Sequence, residues 1–224
     1  MTMLFVTGFH GTTLACANDI LNTKTFMPSP GTHHWIGPGV YFWQDAPLRA
    51  WEWALYASRR DTARSPPAVI RAAISISHCF DLLDIGYERW IKQAYREMVE
   101  QEQTAQGWSG EPVPLRVQQV PSFRDAHGVK HHIGDRVEGA RANYNYRDFD
   151  VIERVLFNIH TTTGQRFTSA RGAFSEGQML YPSSFLFDRS HVQVAVIEPE
   201  AMSDMRLEDS SILDSAYRAR VLPR

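Results

Sequence analysis

Apolar residues recur along this chain in two rhythms, and each rhythm predicts one type of element. Alternating or β-branched runs predict strands at Met3-Leu4-Phe5-Val6-Thr7, at Val40-Tyr41-Phe42-Trp43, at 69–76 and at 172–176. The cleanest alternation is His191-Val192-Gln193-Val194-Ala195-Val196-Ile197, which Glu198-Pro199 ends. Helical spacing predicts a helix over 14–21, with Thr12 or Thr13 placed to cap it. A second helix carries Leu48, Ala50, Trp51, Trp53, Ala54, Leu55 and Ala57, with Asp45 at its N-cap and Pro47 in its first turn. Tyr87, Trp90, Ile91, Ala94, Tyr95, Met98 and Val99 share one face of a third helix. Val151, Ile152, Val155, Leu156 and Ile159 share one face of a fourth, which Asp148-Phe149-Asp150 starts and which should pack on a sheet.

Between these elements the pattern breaks down. Residues 25–35 are too rich in proline and glycine for regular structure, and they lead straight into the Tyr41 strand as a candidate cleft loop. From 106 to 142, glycines and prolines interrupt any period, so 86–145 is expected to form a helix and loop-rich insertion in a single domain. Residues 204–224 are polar and are expected to form a loosely attached tail or a partner-binding segment. Strands and helices follow one another without regular alternation, which predicts an α+β fold. Gly37-Pro38-Gly39 runs into Val40-Tyr41-Phe42 and not into a phosphate-binding Gly-x-Gly-x-x-Gly turn, which argues against a Rossmann domain.

Composition adds exclusions. The chain has 224 residues, 43% of them hydrophobic and 21% charged, and no window approaches the ~18 apolar residues a membrane span needs. No basic segment followed by an apolar core opens the sequence, so a cytoplasmic protein is expected. Cys16 and Cys79 stand far apart in no redox or metal motif and read as reduced, packed thiols. His33-His34 and His131-His132 lack a carboxylate or cysteine at ligand spacing, so no metal is expected. A net charge of −2 gives no global footprint for nucleic acid. Arg136, Arg141, Arg147, Arg154, Arg166 and Arg171 are locally dense, which reads first as a solvated face and second as a basic cleft.

The candidate chemistry begins at His10-Gly11-Thr12, expected where the first strand turns out of the sheet. Glycine lets backbone come close to a ligand, and the flanking imidazole and hydroxyl can bond it. Gly37-Pro38-Gly39-Val40-Tyr41-Phe42-Trp43 follows, and Arg171-Gly172-Ala173-Phe174-Ser175-Glu176-Gly177 lies far downstream. In order and spacing these three motifs resemble the His-Tyr-Glu branch of the ADP-ribosyltransferases, the group of diphtheria toxin and the poly-ADP-ribose polymerases. The resemblance implies a split mixed β-sandwich with NAD as co-substrate in its cleft and helices around it. It also implies that His10 bonds the adenosine ribose, that the Gly11 backbone holds the nicotinamide amide, that Thr12 and Gly39 line the cofactor site, and that Tyr41 stacks on the nicotinamide. The family's second stacking aromatic falls on Glu52 here, between Trp51 and Trp53, and Trp53 is the candidate.

Glu176 carries the enzymatic expectation. Breaking the nicotinamide–ribose bond develops positive charge on the ribose, which a carboxylate bonded to a ribose hydroxyl stabilises. Phe174 stands where arginine-modifying members of the family have a second carboxylate, so that class is disfavoured. The resemblance therefore implies a mono-ADP-ribosyltransferase, a small effector or the toxin of a toxin–antitoxin or phage-defence system, with room for an antitoxin protein as partner. RNA or another nucleic acid is favoured as acceptor over protein. Tyr144-Asn145-Tyr146-Arg147 is the candidate acceptor clamp, since it can stack and hold a base. NAD hydrolysis and a non-catalytic nucleotide-binding module are the alternatives.

Overall fold

A computed structural model describes residues 4–26, 35–105, 116–119, 123–124, 130–131, 135–138, 148–182, 184 and 186–220. In chain order the elements are β1 (Phe5–Thr13), α1 (Leu14–Thr23), β2 (Val40–Gln44), α2 (Pro47–Arg60), β3 (Pro67–Ser75), β4 (Cys79–Asp81) and α3 (Glu88–Ala105). Four short strands follow, β5 (Arg116–Gln119), β6 (Phe123–Arg124), β7 (Lys130–His131) and β8 (Asp135–Glu138). The chain then forms α4 (Asp148–Thr163), β9 (Ser169–Phe174), β10 (His191–Val196), a 3-10 turn (Pro199–Ala201), β11 (Met202–Leu207) and α5 (Ser210–Arg220). Seven strands form one mixed sheet in the order β11-β3-β1-β2-β10-β9-β4, antiparallel except where β4 runs beside β9. This is the expected α+β class.

The join between β1 and β2 positions the site. β1 pairs with β3 over its whole length, from Phe5 opposite Ser75 to Thr13 opposite Pro67. It pairs with β2 only at Gly8 opposite Gln44 and Phe9 opposite Trp43. β2 meanwhile pairs with β10 from Gln44 to Val40. Beyond Phe9 the two half-sheets therefore part, and His10, Gly11 and Thr12 have ladder partners only on the β3 side.

Register assigns the faces. Phe9, Trp43, Gln193 and Gly172 stand opposite one another across four strands, so they share one face, and Tyr41 and Ala170, two residues away, share it too. α2 covers one end of that face, packing Ala50, Trp51 and Ala54 on Phe9, Trp43 and Val69. α3 and α4 cover the other end, with Ala94, Ile152, Val155 and Ile159 against Phe80, Phe167 and Ala170. The opposite face carries Phe42, Ala72, Ile74 and Val194, and α1 lays Ala17 and Ile20 on Ala68 and Ile70 there.

Several expectations change. The first strand does not turn at His10, because β3 holds β1 in register as far as Thr13. Thr13 caps α1, accepting from the Cys16 amide at 3.4 Å. Asp45 does not cap α2; it sits in a left-handed turn (φ 51°), its amide donating to the Thr7 carbonyl, and Ala46 takes the cap position without a side-chain bond. The C-terminal segment is no loose tail, since β11 adds an edge strand to β3 and α5 buries Leu213 in the α2 core. Within 116–138 the chain forms two small antiparallel pairs, β5 with β8 and β6 with β7. Cys16 is exposed and not packed, whereas burial pushes the Cys79 thiol up to about 11. Among the described residues no helix is long and apolar enough to cross a membrane.

Candidate functional site

A row of aromatic rings runs along the face that α2 and α4 share. Tyr56 and Trp53 of α2 lie 5.4 Å apart between ring centroids, Trp53 and Trp43 6.0 Å, and Trp43 and His191 6.3 Å. His191 and Phe174 follow at 5.6 Å, then Phe174 and Trp35 at 5.3 Å. Trp35 lies on the bare α-carbon of Gly172, where a Cβ would clash with its ring, and donates its indole N–H to Gln193 at 2.6 Å. A side chain at 172 would close this floor.

Glu176 stands two residues beyond the last residue of β9 and not within the strand, where its charge bears on His191. Strand pairing ends at Phe174 opposite His191, and the chain then turns into a hairpin in which the Arg189 amide donates to the Glu176 carbonyl at 3.1 Å. Arg49, in the first turn of α2, bonds the Glu176 carboxylate at 2.6 Å and also pairs with Glu52. Glu52 in turn meets Arg189 at 3.3 Å and the Tyr217 hydroxyl at 3.5 Å. The Glu176 side chain keeps 41% of its surface exposed, so this network forms the rim of the groove. Burial lowers the pKa of Arg49, and the Glu176 charge opposes that shift.

Three polar atoms of these side chains have no hydrogen-bond partner. Trp43 Nε1, Arg49 Nε and His191 Nε2 are all buried and unpaired. Leaving such a group unsatisfied costs about 1–3 kcal/mol, and folded proteins keep few of them. His191 Nδ1 lies 2.7 Å from the Arg189 carbonyl, which only accepts, so Nδ1 carries the proton and Nε2 presents a lone pair. Burial holds the His191 pKa below 6.5, with Arg49 adding to the shift and the Arg189 carbonyl and Glu176 opposing it.

The residues singled out from sequence divide between the two faces. Tyr41, Trp53 and Glu176 lie on the groove face. The Tyr41 hydroxyl donates to the Gly37 carbonyl at 2.8 Å and accepts from the Ile36 amide at 3.1 Å, and burial raises its pKa. His10 and the half-buried Thr12 lie on the α1 face, opposite Ile70 and Ala68. The His10 ring packs on Phe26 and Phe42, at 5.2 and 5.5 Å, and burial lowers its pKa. Its Nδ1 lies 2.9 Å from the Tyr41 carbonyl, bridging the strands where the half-sheets part. Gly11 abuts the α2 backbone at Ala50, and Gly39 (φ 142°) abuts the Val196 carbonyl. Both positions exclude a Cβ for packing reasons.

Trp51 belongs to the core, and Glu52 to the rim network. Arg171 pairs with Asp81 at 2.6 Å, Arg154 with Gln101 at 3.0 Å and Arg166 with His160 at 3.2 Å, away from the groove. Tyr144-Asn145-Tyr146-Arg147 and His33-His34 lie outside the described residues. Among the described residues no group of His, Cys, Asp and Glu gathers to hold a metal.

Sequence reasoning missed Trp43, Arg49, Arg189 and His191 as site residues. Their signal was present, since alternation along β2 and β10 puts Trp43, His191 and Gln193 on one face. No protein-family model matches the chain. No solved structure matches it either. An uncharacterized protein of Methanocaldococcus jannaschii is similar, 24% identical over 212 residues that make up 93% of this chain and 90% of that protein. It brings a relative of the same extent and no activity.

Proposed function

We propose that this protein is a mono-ADP-ribosyltransferase that moves ADP-ribose from NAD to a macromolecule, with RNA as the favoured acceptor. The observation that carries the reading is the Glu176 carboxylate, paired with Arg49 and acting on His191 of an aromatic row that shares its face with Tyr41. The two-pair junction of β1 and β2 supports the split-sandwich architecture of that family, with His10 fastening the point of divergence. The exposed rings of Trp53 and Tyr56 suit a nicotinamide or an adenine, which need stacking surfaces more than charge.

In this reading Glu176 leaves Arg49 and accepts a hydrogen bond from a ribose hydroxyl, stabilising positive charge as the glycosidic bond breaks. Trp53, 39% exposed, offers its ring at the mouth. The chain would act as an effector or toxin and could be restrained by an antitoxin protein. Among the described residues, the exposed Tyr181 beyond Glu176 and the cationic Arg189 suit a stacked base and its phosphate better than they suit an arginine side chain.

Incubation with labelled NAD and cell lysate, followed by separate nuclease and protease digestion, tests both levels. Label removed by nuclease supports RNA, and label removed only by protease moves the acceptor to protein. Free ADP-ribose without labelled polymer makes the protein a hydrolase, and no NAD turnover ends the reading. Glu176→Gln should keep the fold and NAD binding while lowering turnover at least ~10²-fold, the scale for one preorganised electrostatic contact.

A further inference from the structure

We propose that His191, Trp43 and Arg49 form the subsite for the attacking group, and that the group they are matched to is a hydroxyl. The inference rests on the ADP-ribosyl-transfer reading and deepens it. Of the six buried side-chain atoms without a partner among the described residues, three belong to side chains that neighbour one another near Glu176 and are of complementary kinds. Trp43 Nε1 and Arg49 Nε are donors, and His191 Nε2, with its proton held on the other nitrogen by the Arg189 carbonyl, is an acceptor. Trp43 and His191 are 9% and 8% exposed, and their rings are neighbours. Arg49 comes from α2, bonds Glu176, and its charge bears on His191.

Two donors and one acceptor discriminate among nucleophiles. A hydroxyl has two lone pairs to receive the donors and one proton to give the acceptor. The exocyclic amine of a base has no comparable lone pair in its plane, and a carboxylate has no proton to give. During transfer the hydroxyl oxygen forms a bond to ribose C1′. The C1′–N bond breaks with its electron pair leaving on the nicotinamide nitrogen, which becomes neutral. The hydroxyl proton passes to His191 Nε2, and Glu176 stabilises the resulting imidazolium until solvent removes the proton. The charged groups that bear on His191 are Arg49 of α2 and Glu176 after β9, and Arg49 is linked through Glu52 of α2 to Arg189 before β10 and Tyr217 of α5. At neutral pH burial keeps the imidazole unprotonated, so it is ready to act as a base. The hydroxyl can belong to an RNA ribose or to water, and the products separate the two sources.

The test compares the wild type with His191→Asn, which keeps an N–H toward the Arg189 carbonyl, and His191→Gln, which places a non-basic group near Nε2. Labelled-NAD turnover is followed against pH, with thermal melting as the folding control. The wild type should lose rate on the acid side as His191 protonates, at a pH lower than an ordinary histidine titrates. Both variants should melt normally, keep KM for NAD, lose ~10²- to 10⁴-fold in kcat and lose the acid limb. Product on a hydroxyl oxygen of RNA, or free ADP-ribose from water, supports the subsite. Product on a nitrogen or a carboxylate overturns it, and so does a variant that keeps the wild-type rate or acid limb. No turnover by the wild type defeats the parent reading itself, whereas wild-type turnover with indifferent variants defeats this inference alone. If the variants do not fold, ¹⁵N-histidine spectra of the wild type decide. A bare Nε2 whose signal moves when NAD is added supports the inference, and a signal indifferent to NAD overturns it.

Discussion

Tyr41 shows how one side chain serves both the fold and the site. Its hydroxyl ties the loop residues Ile36 and Gly37 to β2, and its ring lies on the groove face beside the family-like motif that singled it out. The two roles separate under substitution. Tyr41→Phe removes both bonds and leaves a partly buried amide and carbonyl unpaired, a loss of ~1–3 kcal/mol in stability. NAD affinity should change little, because stacking needs the ring and not the hydroxyl. Tyr41→Ala should lower both quantities, which thermal melting and calorimetric NAD titration can follow in parallel. Equal loss of affinity in the two variants would move the hydroxyl into the ligand contact. Tyr41 and Glu176 were singled out in sequence because they sit in spaced motifs. His191 was not, because a histidine opening an alternating strand reads as any polar strand residue until the Arg189 carbonyl just before it fixes its tautomer and neighbouring strands set Trp43 and Phe174 beside it.

At the scale of elements, the approach of β1 to α2 decides where Arg49 stands. Gly11 faces the α2 backbone so closely that an added Cβ would meet the Ala50 carbonyl, and backbone cannot yield as a side-chain tip can. Gly11→Ala should therefore cost ~1–3 kcal/mol through overpacking. Because α2 also carries Arg49 and Glu52, a shifted helix should loosen the Glu176 pair as well. Urea denaturation and NAD turnover, measured together, should both fall. A variant as stable as the wild type would show that the helix is not pinned there. The long elements were readable from periodicity, since burial of one face imposes it. Boundaries failed where tertiary pairing took over, as at His10, which β3 keeps in the strand, and at Asp45, which a left-handed turn takes out of the capping position.

At the scale of the whole molecule, the C-terminal segment binds the architecture to the site. Its polarity made it read as a tail, because β11 is a sheet edge with one exposed side and α5 buries only a narrow stripe. That stripe reaches far. Leu213 is 6% exposed within the core that α2 shares with Phe9, Trp43 and Val69, and one turn later Tyr217 touches Glu52 in the rim network. Leu213→Ala should open a cavity against α2 and cost ~2–5 kcal/mol. Tyr217→Phe removes only a long, partly exposed bond, so it should leave stability within ~0.5 kcal/mol. Its effect should appear in function, as Glu52 gains freedom and competes differently with Glu176 for Arg49. Melting and NAD turnover of the two variants therefore diverge, Leu213→Ala losing stability first and Tyr217→Phe altering turnover at constant stability. A Leu213→Ala protein that melts like the wild type would return 210–220 to the status of an appendage.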